Sequence, residues 1–275
     1  MLDITASFQH PSSDRAPKPG EQCIAAMNVS HTYRGDDGQR VAALRDVSLS
    51  VAPGEFASVI GPSGCGKSTL LGILAGLDAP TAGVVLLDGQ PTTPRQRLGR
   101  IGLMPQRDLL LPWRTALGNA VAGLRVHGVP GNIARAQARD LFARFGLSQF
   151  ERAYPHALSG GMRQRVALVR AALASGPVLL LDEPFGALDA LTRADLRHWL
   201  LEAWQGLGKT IILVTHDVDE ALLLSDRVFV LSPRPGTVRA VIDVALPRPR
   251  DLAVQGSAEF VELRRRLLTA LEAQL

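Results

Sequence analysis

The stretch Gly61 to Thr69, with the sequence GPSGCGKST, contains the residues of this chain that are best suited to bind phosphate. It fits the phosphate-loop pattern G-x-x-x-x-G-K-[ST], with Gly61, Gly66, Lys67 and Ser68 in register. A triphosphate needs converging backbone N–H groups, and glycines leave these unobstructed and tolerate the dihedrals of the turn. The lysine adds a point charge for the outer phosphates, and the serine hydroxyl can bind Mg²⁺.

The flanking segments fit this interpretation. Residues Glu55–Ile60 predict a buried strand and residues Ser68–Leu74 the start of a helix, whose positive N-terminal end favours an anion. A chance glycine turn is the alternative for the motif alone, and the strand and helix around it disfavour that alternative. We therefore assign to nucleotide binding all nine residues, Gly61, Pro62, Ser63, Gly64, Cys65, Gly66, Lys67, Ser68 and Thr69.

Three further apolar runs end in polar residues that could take part in the same chemistry. Ile101–Met104 precedes Gln106, Val178–Leu181 precedes Asp182, and Thr210–Val214 precedes His216. Ligands of parallel sheets bind beyond the carboxyl ends of the strands, so we expect these residues to meet at one site. Taken alone, Gln106 would be interpreted as a solvated turn residue and His216 as a hydrogen-bonded core histidine.

The pair Asp182-Glu183 predicts two separate roles. The Asp182 carboxylate complements Ser68 as a Mg²⁺ ligand. Adjacent residues of a strand point in opposite directions, so Glu183 is free to orient and deprotonate a water that attacks the γ-phosphate. A strand-ending acidic turn is the alternative, and the phosphate loop disfavours it.

The elements that must position these residues predict an α/β fold with a mostly parallel sheet. Two N-terminal strands, Ile24–Tyr33 and Val41–Val51, lie on either side of a turn at Gly35–Gly38 and predict an antiparallel β subdomain. Between about residues 107 and 176 the strand signal gives way to helical periodicity, which predicts an inserted helical subdomain. Its apolar stripes are Ala134, Ala138, Leu141, Phe142 and Phe145, and Met162, Val166, Val169 and Leu173.

The composition is that of an ordinary globular protein, with 46% apolar and 20% charged residues. No apolar run reaches the roughly 20 residues that would cross a bilayer. We expect residues 1–22 to be a disordered tail and not a secretory signal, 23–246 to form the main domain, and 247–275 to be an extension with an amphipathic helix. The net charge of +4 comes from scattered arginines, so no nucleic-acid partner is predicted. Two distant cysteines, Cys23 and Cys65, suit a reducing cytoplasm.

The string Leu158-Ser159-Gly160-Gly161-Met162 begins a helix and predicts a second anion-binding end. It closely resembles the signature motif of ATP-binding-cassette (ABC) ATPases, which are P-loop NTPases. The family's other motifs match in order over about Ile24–Leu246. Tyr33 resembles its adenine-stacking aromatic, Gly61–Thr69 its Walker A loop, Gln106 its Q-loop, Val178–Asp182 its Walker B strand, Glu183 its catalytic glutamate, Ala187–Asp189 its D-loop and His216 its switch histidine.

This resemblance implies ATP and Mg²⁺ as ligands and a head-to-tail pair of subunits, in which Ser159, Gly160 and Gly161 contact the nucleotide on the other copy. It also implies that Asp189 lies at the nucleotide and that Gln106 reaches the metal. Met162 departs from the glutamine usual at that position, beyond the phosphate contacts. From the residues alone, Tyr33 is better interpreted as a core side chain than as a stacking one.

A finer resemblance concerns the segments Leu109–Trp113 (LLLPW), Leu231–Gly236 (LSPRPG) and Leu246–Arg250 (LPRPR). They are similar to those of the nitrate/sulfonate/taurine group of bacterial importers. This implies membrane permease subunits as partners, an indirect link to a periplasmic binding protein, and a peripheral location on the cytoplasmic face of the inner membrane. Trp113 is either a core residue or part of a groove for a permease coupling helix. A soluble ABC protein and an exporter subunit are the rival classes, disfavoured because the chain has no sustained heptads and no membrane segments.

Overall fold

The structure is a computed structural model that describes residues 23–35, 38–174, 176–186, 188, 192–194, 196, 197, 200, 201, 204, 208–250 and 252–272. In chain order its strands are β1 Ile24–Arg34, β2 Arg40–Val51, β3 Phe56–Ile60, β4 Ala82–Leu87, β5 Gln90–Thr92, β6 Ile101–Met104, β7 Val178–Asp182, β8 Thr210–Val214, β9 Arg227–Leu231 and β10 Val238–Asp243. The helices are α1 Lys67–Ala75, α2 Pro94–Arg97, α3 Ala116–Ala120, α4 Ala122–Val126, α5 Gly131–Arg144, α6 Gly160–Ala174, α7 Val218–Leu224 and α8 Ala258–Glu272, with short 3₁₀ turns at Ser148–Phe150, Pro155–Ala157 and Leu252–Gly256.

The strands form two sheets. The larger has the order β10-β9-β3-β8-β7-β6, in which all pairs are parallel except the antiparallel edge pair β10–β9. The smaller has the order β2-β1-β4-β5 and is antiparallel throughout. The predicted α/β class, with a mostly parallel core sheet and an antiparallel β subdomain, is confirmed.

The central strands are unalternated apolar runs because both of their faces are covered. All five residues of β3, of β7 and of β8 are buried. One apolar cluster joins this sheet to α3, α5 and α6, and a second fills the space between the two sheets and α1. The carboxyl ends of β3, β8, β7 and β6 are therefore neighbours on one edge of a rigid layer.

Four helices, α3–α6, occupy the span predicted to be helical. The stripe on α5 is buried as expected, and Phe145 just beyond it is buried too. On α6, Val166 and Val169 are buried while Met162 and Leu173 are half-buried against the same cluster. The boundaries 107–176 of this subdomain, and those of the main domain, stay predictions.

The C-terminal extension is held by its arginines. Helix α8 buries Phe260, Leu263 and Leu267 against α7 and the end of the main sheet, and its Arg264–Arg266 run is exposed as expected. Arg248 pairs with Asp226 at 2.8 Å, and Arg250 is buried among four carbonyl oxygens. Burial lowers the pKa of Arg250 to about 10.

Some expectations fall outside the described residues. These are the N-terminal tail 1–22, the middle of the Gly35–Gly38 turn, and Ala187 and Asp189. Within the residues that the structure does describe, no helix combines the length and the apolar character that crossing a membrane requires.

Candidate active site

The phosphate loop connects β3 to α1 and is shaped by close packing against β2. Gly66 has φ +105°, and a Cβ there would lie 2.6 Å from Leu44 Cδ2 and 2.8 Å from the carbonyl oxygen of Ala43. Any side chain at this position would therefore clash and would also strain the backbone. A Cβ on Gly61 would come within 2.9 Å of the carbonyl oxygen of Leu231. The two glycines of the motif are needed for the loop to lie against its neighbours.

Backbone N–H groups of the loop and of the first turn of α1 are free to bind an anion. In the described hydrogen bonds, those of Gly64, Gly66, Ser68 and Thr69 have no acceptor within the chain. Lys67 is 7% exposed, and its ammonium donates to the carbonyls of Gly61 and Pro62 at 2.8 and 2.9 Å. The loop thus presents a buried cation and a set of unpaired donors, which suits a phosphate group.

Ser68 and Asp182 meet where a metal would be needed. The Ser68 hydroxyl lies near the Asp182 carboxylate, which is 9% exposed at the end of β7. Burial is the largest influence on the pKa of Asp182 and raises it, as does the charge of Glu183, while Ser68 and the charge of Lys67 lower it. Within the described part of the chain, no three His, Cys, Asp or Glu side chains form a metal cluster. Two hard oxygen ligands fit Mg²⁺, which binds through few protein groups together with phosphate oxygens and water.

Glu183 is the centre of a small polar cluster. Its Oε2 accepts a hydrogen bond from Gln106 Nε2 at 3.1 Å and lies 3.5 Å from His216 Nδ1. These contacts bring together residues that follow the carboxyl ends of β6, β7 and β8. Gln106 and His216 are neither an isolated turn residue nor a core histidine, and the His216 side chain is 64% exposed.

Asp182 and Glu183 do point to different partners, but strand alternation is not the reason. Strand β7 ends at Asp182, and Glu183 has φ +45°, in the left-handed region that non-glycine residues rarely adopt. Its backbone N–H still donates to the Val214 carbonyl at 2.9 Å. The turn to left-handed backbone swings the Glu183 carboxylate away from Ser68 and towards Gln106 and His216.

For two aromatic residues the core interpretation is wrong. Tyr33 is 44% exposed at the end of β1, and its hydroxyl is 3.1 Å from Thr69 Oγ1 at the phosphate loop. Trp113 is 71% exposed in the loop before α3. Tyr33 is therefore close enough to contact a nucleotide, and Trp113 is available to a partner.

The signature residues form an exposed helix start. The Ser159 side chain accepts from the N–H of Met162 at 3.2 Å, and both Ser159 and Gly160 are exposed. A Cβ on Gly160 would find no atom closer than 3.9 Å, whereas one on Gly161 would lie 2.5 Å from Thr192 Cγ2. Among the described residues, no hydrogen bond joins this motif to the phosphate loop of the same chain.

Arg234 is a residue at the site to which sequence reasoning gave no role. Its Nε donates to the carbonyl of Gly64 at 3.2 Å from the turn after β9, and Gly236 of the same turn packs against the carbonyl of Cys65. The available signal was an arginine in a Pro/Gly-rich turn after an apolar strand. Its partner depends on β9 lying beside β3, which the sequence does not reveal.

This combination of a strand–loop–helix phosphate site, a serine and aspartate pair for Mg²⁺, and a glutamate beside a glutamine and a histidine defines a P-loop nucleotide triphosphatase. Comparison with known proteins narrows the class. The sequence profile of the ABC transporter family matches residues 44–186. An uncharacterized ABC transporter ATP-binding protein of Methanocaldococcus jannaschii is 47% identical over 87% of this chain and 88% of its own.

Two other relatives have names that state a transport role. A taurine import ATP-binding protein of Burkholderia pseudomallei is 45% identical over 79% of this chain and 82% of its own length. An aliphatic sulfonates import ATP-binding protein of Bacillus cereus is 42% identical over 90% of this chain and 95% of its own length. Two solved structures superpose on this chain, each over 82% of this chain and 100% of its own. A dimeric bacterial ABC transporter cassette does so with a TM-score of 0.71 at 33% identity. A dimeric post-hydrolysis cassette bound to ADP and Pi does so with a TM-score of 0.70 at 32% identity. The chain belongs to the ABC transporter family, and it is an ATP-binding cassette ATPase of that family.

Proposed function

We propose that this chain is the ATPase subunit of an importer for a small solute of the nitrate, sulfonate or taurine kind. Two copies associate head to tail around ATP, and hydrolysis releases them. The observation that supports the chemistry best is the contact set of Glu183, whose Oε2 lies 3.1 Å from Gln106 and 3.5 Å from His216 beside the phosphate loop.

In this proposal the residues divide the reaction between them. Lys67 and the loop N–H groups hold the β- and γ-phosphates, and the Tyr33 ring lies against the adenine. Ser68 and Asp182, with Gln106 nearby, would hold Mg²⁺, which supplies positive charge to the phosphates. Glu183 accepts the proton of the attacking water, a contribution of about 10²–10⁴-fold for a positioned general base.

The second copy is needed because one chain supplies an incomplete site. Ser159, Gly160 and Gly161 open the 15-residue helix α6 and present its positive end at the surface. Gly160 is exposed, so another surface can approach its backbone. The two dimeric cassettes that superpose on this chain support the arrangement. Asp189 is assigned to the same interface.

The catalytic assignment is tested with Glu183→Gln, which keeps the shape of the side chain and removes its basicity. We expect ATP binding within twofold of the unaltered protein and ATP turnover at least 10²-fold lower. The matched control is Glu151→Gln, since Glu151 is a carboxylate of the helical subdomain that pairs with Arg139. Turnover at the unaltered rate in Glu183→Gln would refute the assignment.

The transport role adds partners that the chain itself does not contain. Membrane permease subunits would carry the solute, a periplasmic binding protein would deliver it, and this chain would sit on the cytoplasmic face of the membrane. Support comes from the taurine and sulfonate relatives and from two exposed apolar side chains in the loop before α3, Trp113 and Leu109. An exposed indole of this kind suits an apolar helix of a partner.

Reconstitution tests the transport role. The chain is combined in vesicles with the permease and binding protein of its own gene neighbourhood, and uptake of labelled nitrate, taurine and an alkanesulfonate is measured with and without ATP. We expect ATP-dependent uptake of one of these solutes. Trp113→Ala should lose co-purification with the permease and keep its soluble ATPase activity, while Val261→Ala, another exposed apolar side chain, should keep both. Absence of ATP-dependent uptake of all three solutes would contradict the proposal.

A further inference from the structure

The segment that follows Gln106 is fastened to the signature helix α6 by two arginines. Arg163 Nε donates to Asp108 Oδ2 at 3.1 Å, and its Nη1 donates to the carbonyl of Leu158 at 2.8 Å. Arg170, two turns further along the helix, donates from Nη2 to the carbonyl of Asp108 at 2.5 Å. One residue, Asp108, is therefore held through its side chain and its backbone at once.

The backbone at this point is in an uncommon conformation. Leu109 has φ +45° and is 59% exposed, so burial of its side chain does not explain the left-handed backbone. A non-glycine residue keeps such a conformation only where surrounding contacts impose it. Here Arg170 Nη1 donates to the carbonyl of Leu109 at 2.7 Å, and Asp108 Oδ1 accepts from the N–H of Leu110 at 3.1 Å. These polar contacts impose the turn.

Polar contacts are needed because the space beside the turn is not filled by packed side chains. A cavity of about 370 Å³ lies between this segment and the start of α6, and its walls include Gln106, Asp108, Gly160 and Arg163. Apolar packing joins this segment to α6 only beyond the turn, at Leu110, which shares an apolar cluster with Val166 and Val169. The clamp formed by Asp108, Arg163 and Arg170 spans that gap.

The two ends of the clamp serve different sites in the proposed head-to-tail pair. Gln106, two residues before Asp108, touches Glu183 of its own site at 3.1 Å. Helix α6 begins with the signature motif, which serves the nucleotide on the other copy. We propose that Asp108, Arg163 and Arg170 are positioning residues that hold Gln106 against Glu183 and link it to the signature motif, so that the two sites of a dimer act together.

This inference rests on the proposed function, and the clamp can be broken without unfolding the protein. The Asp108 and Arg163 side chains are 29% and 37% exposed, and a partly exposed ion pair contributes only modestly to stability. Asp108→Asn keeps an oxygen that can accept from Leu110 and removes the charge that Arg163 contacts. Glu151→Gln is the matched control, because Glu151 accepts from Arg139 Nε at 3.0 Å in the same subdomain, away from Gln106.

ATP hydrolysis by the full chain is measured against ATP concentration for the unaltered protein, Asp108→Asn, Arg163→Gln, their double variant and Glu151→Gln. For Asp108→Asn we expect kcat to fall about tenfold, KM for ATP to stay within twofold, and the Hill coefficient to fall towards 1. The double variant should lose no more than the larger single loss, because both changes break one contact. The control should match the unaltered protein, and the thermal midpoints of all variants should agree within about 2 °C.

Several results would overturn the inference: an unchanged kcat and Hill coefficient in Asp108→Asn, additive losses in the double variant, or an equal loss in Glu151→Gln. A fall in the thermal midpoint and in the ATP affinity of Asp108→Asn, without a change in the Hill coefficient, would show that Asp108 has only a structural role. That result would also overturn the inference. If the unaltered protein hydrolyses ATP with a Hill coefficient above 1 while Asp108→Asn behaves identically, only the clamp fails. If the unaltered protein hydrolyses no ATP, the proposed function fails with it.

Discussion

The two adjacent signature glycines should respond differently to the same added methyl group: Gly161→Ala should lose stability, and Gly160→Ala should lose ATP-dependent association. In Gly161→Ala the new Cβ would lie 2.5 Å from Thr192 Cγ2, well inside the 3.5–4.0 Å of an ordinary carbon contact. Thr192 is β-branched, so its methyl cannot rotate away freely. Overpacking of this kind costs about 1–3 kcal/mol. In Gly160→Ala the nearest atom would be 3.9 Å away, so no such cost arises.

The assay is thermal unfolding of both variants, combined with light scattering in the presence of ATP. We expect Gly161→Ala to lower Tm by about 2–4 °C for each kcal/mol lost and Gly160→Ala to stay within about 2 °C of the unaltered protein. Gly160→Ala should instead weaken ATP-dependent association, because its methyl stands on the surface that would face the other copy's nucleotide.

A second change separates the steric explanation from a general loss of flexibility. Thr192→Ser removes the clashing methyl and keeps the hydroxyl, so the double variant Gly161→Ala/Thr192→Ser should recover most of the lost Tm. The reasoning is refuted if Gly161→Ala has an unchanged Tm, if Gly160→Ala is equally destabilised, or if Thr192→Ser gives no recovery.

Substitutions at three other residues test individual contacts. Lys67→Ala removes the buried ammonium and should weaken ATP binding by about 10- to 100-fold in a nucleotide titration. The reason is that a hydrogen bond to a charged group contributes about 1.5–3 kcal/mol. Unchanged ATP affinity would exclude phosphate binding by Lys67. Tyr33→Ala should weaken ATP binding severalfold, and Tyr33→Phe, which keeps the ring, should bind ATP as the unaltered protein does. Weak ATP binding by Tyr33→Phe would contradict this prediction. Burial raises the pKa of Asp182, so the folded chain protonates this carboxylate at a higher pH than the unfolded chain does. Ionised Asp182 therefore destabilises the fold at pH values above the raised pKa. This loss of stability disappears below the pKa of Asp182 in the unfolded chain. Asp182→Asn should therefore raise Tm at pH 7 without nucleotide while Mg²⁺-dependent turnover is lost, and a lower Tm would contradict this sign.

The parts of the fold that the sequence predicted well are those governed by local patterns. The buried strands β6 and β8 have the predicted bounds because they are unalternated apolar runs, and the phosphate loop has a fixed spacing. The convergence of Gln106, Glu183 and His216 followed from the rule for the carboxyl ends of parallel strands.

The remainder depends on contacts between residues distant in the chain. From the residues alone Tyr33 is interpreted as a core side chain, and the structure instead shows its hydroxyl beside Thr69. Arg234 reaches Gly64 across 170 residues. The difference between Gly160 and Gly161 depends on Thr192, whose proximity no local pattern encodes.

The central claim is that ATP is enclosed between two copies of this chain. Multi-angle light scattering of Glu183→Gln with Mg²⁺ and saturating ATP tests it most directly, because trapped nucleotide cannot be hydrolysed and the pair cannot separate. The account predicts the mass of two chains with ATP and of one chain with ADP. A single-chain mass with ATP bound, as shown by nucleotide co-eluting with the protein, would contradict it.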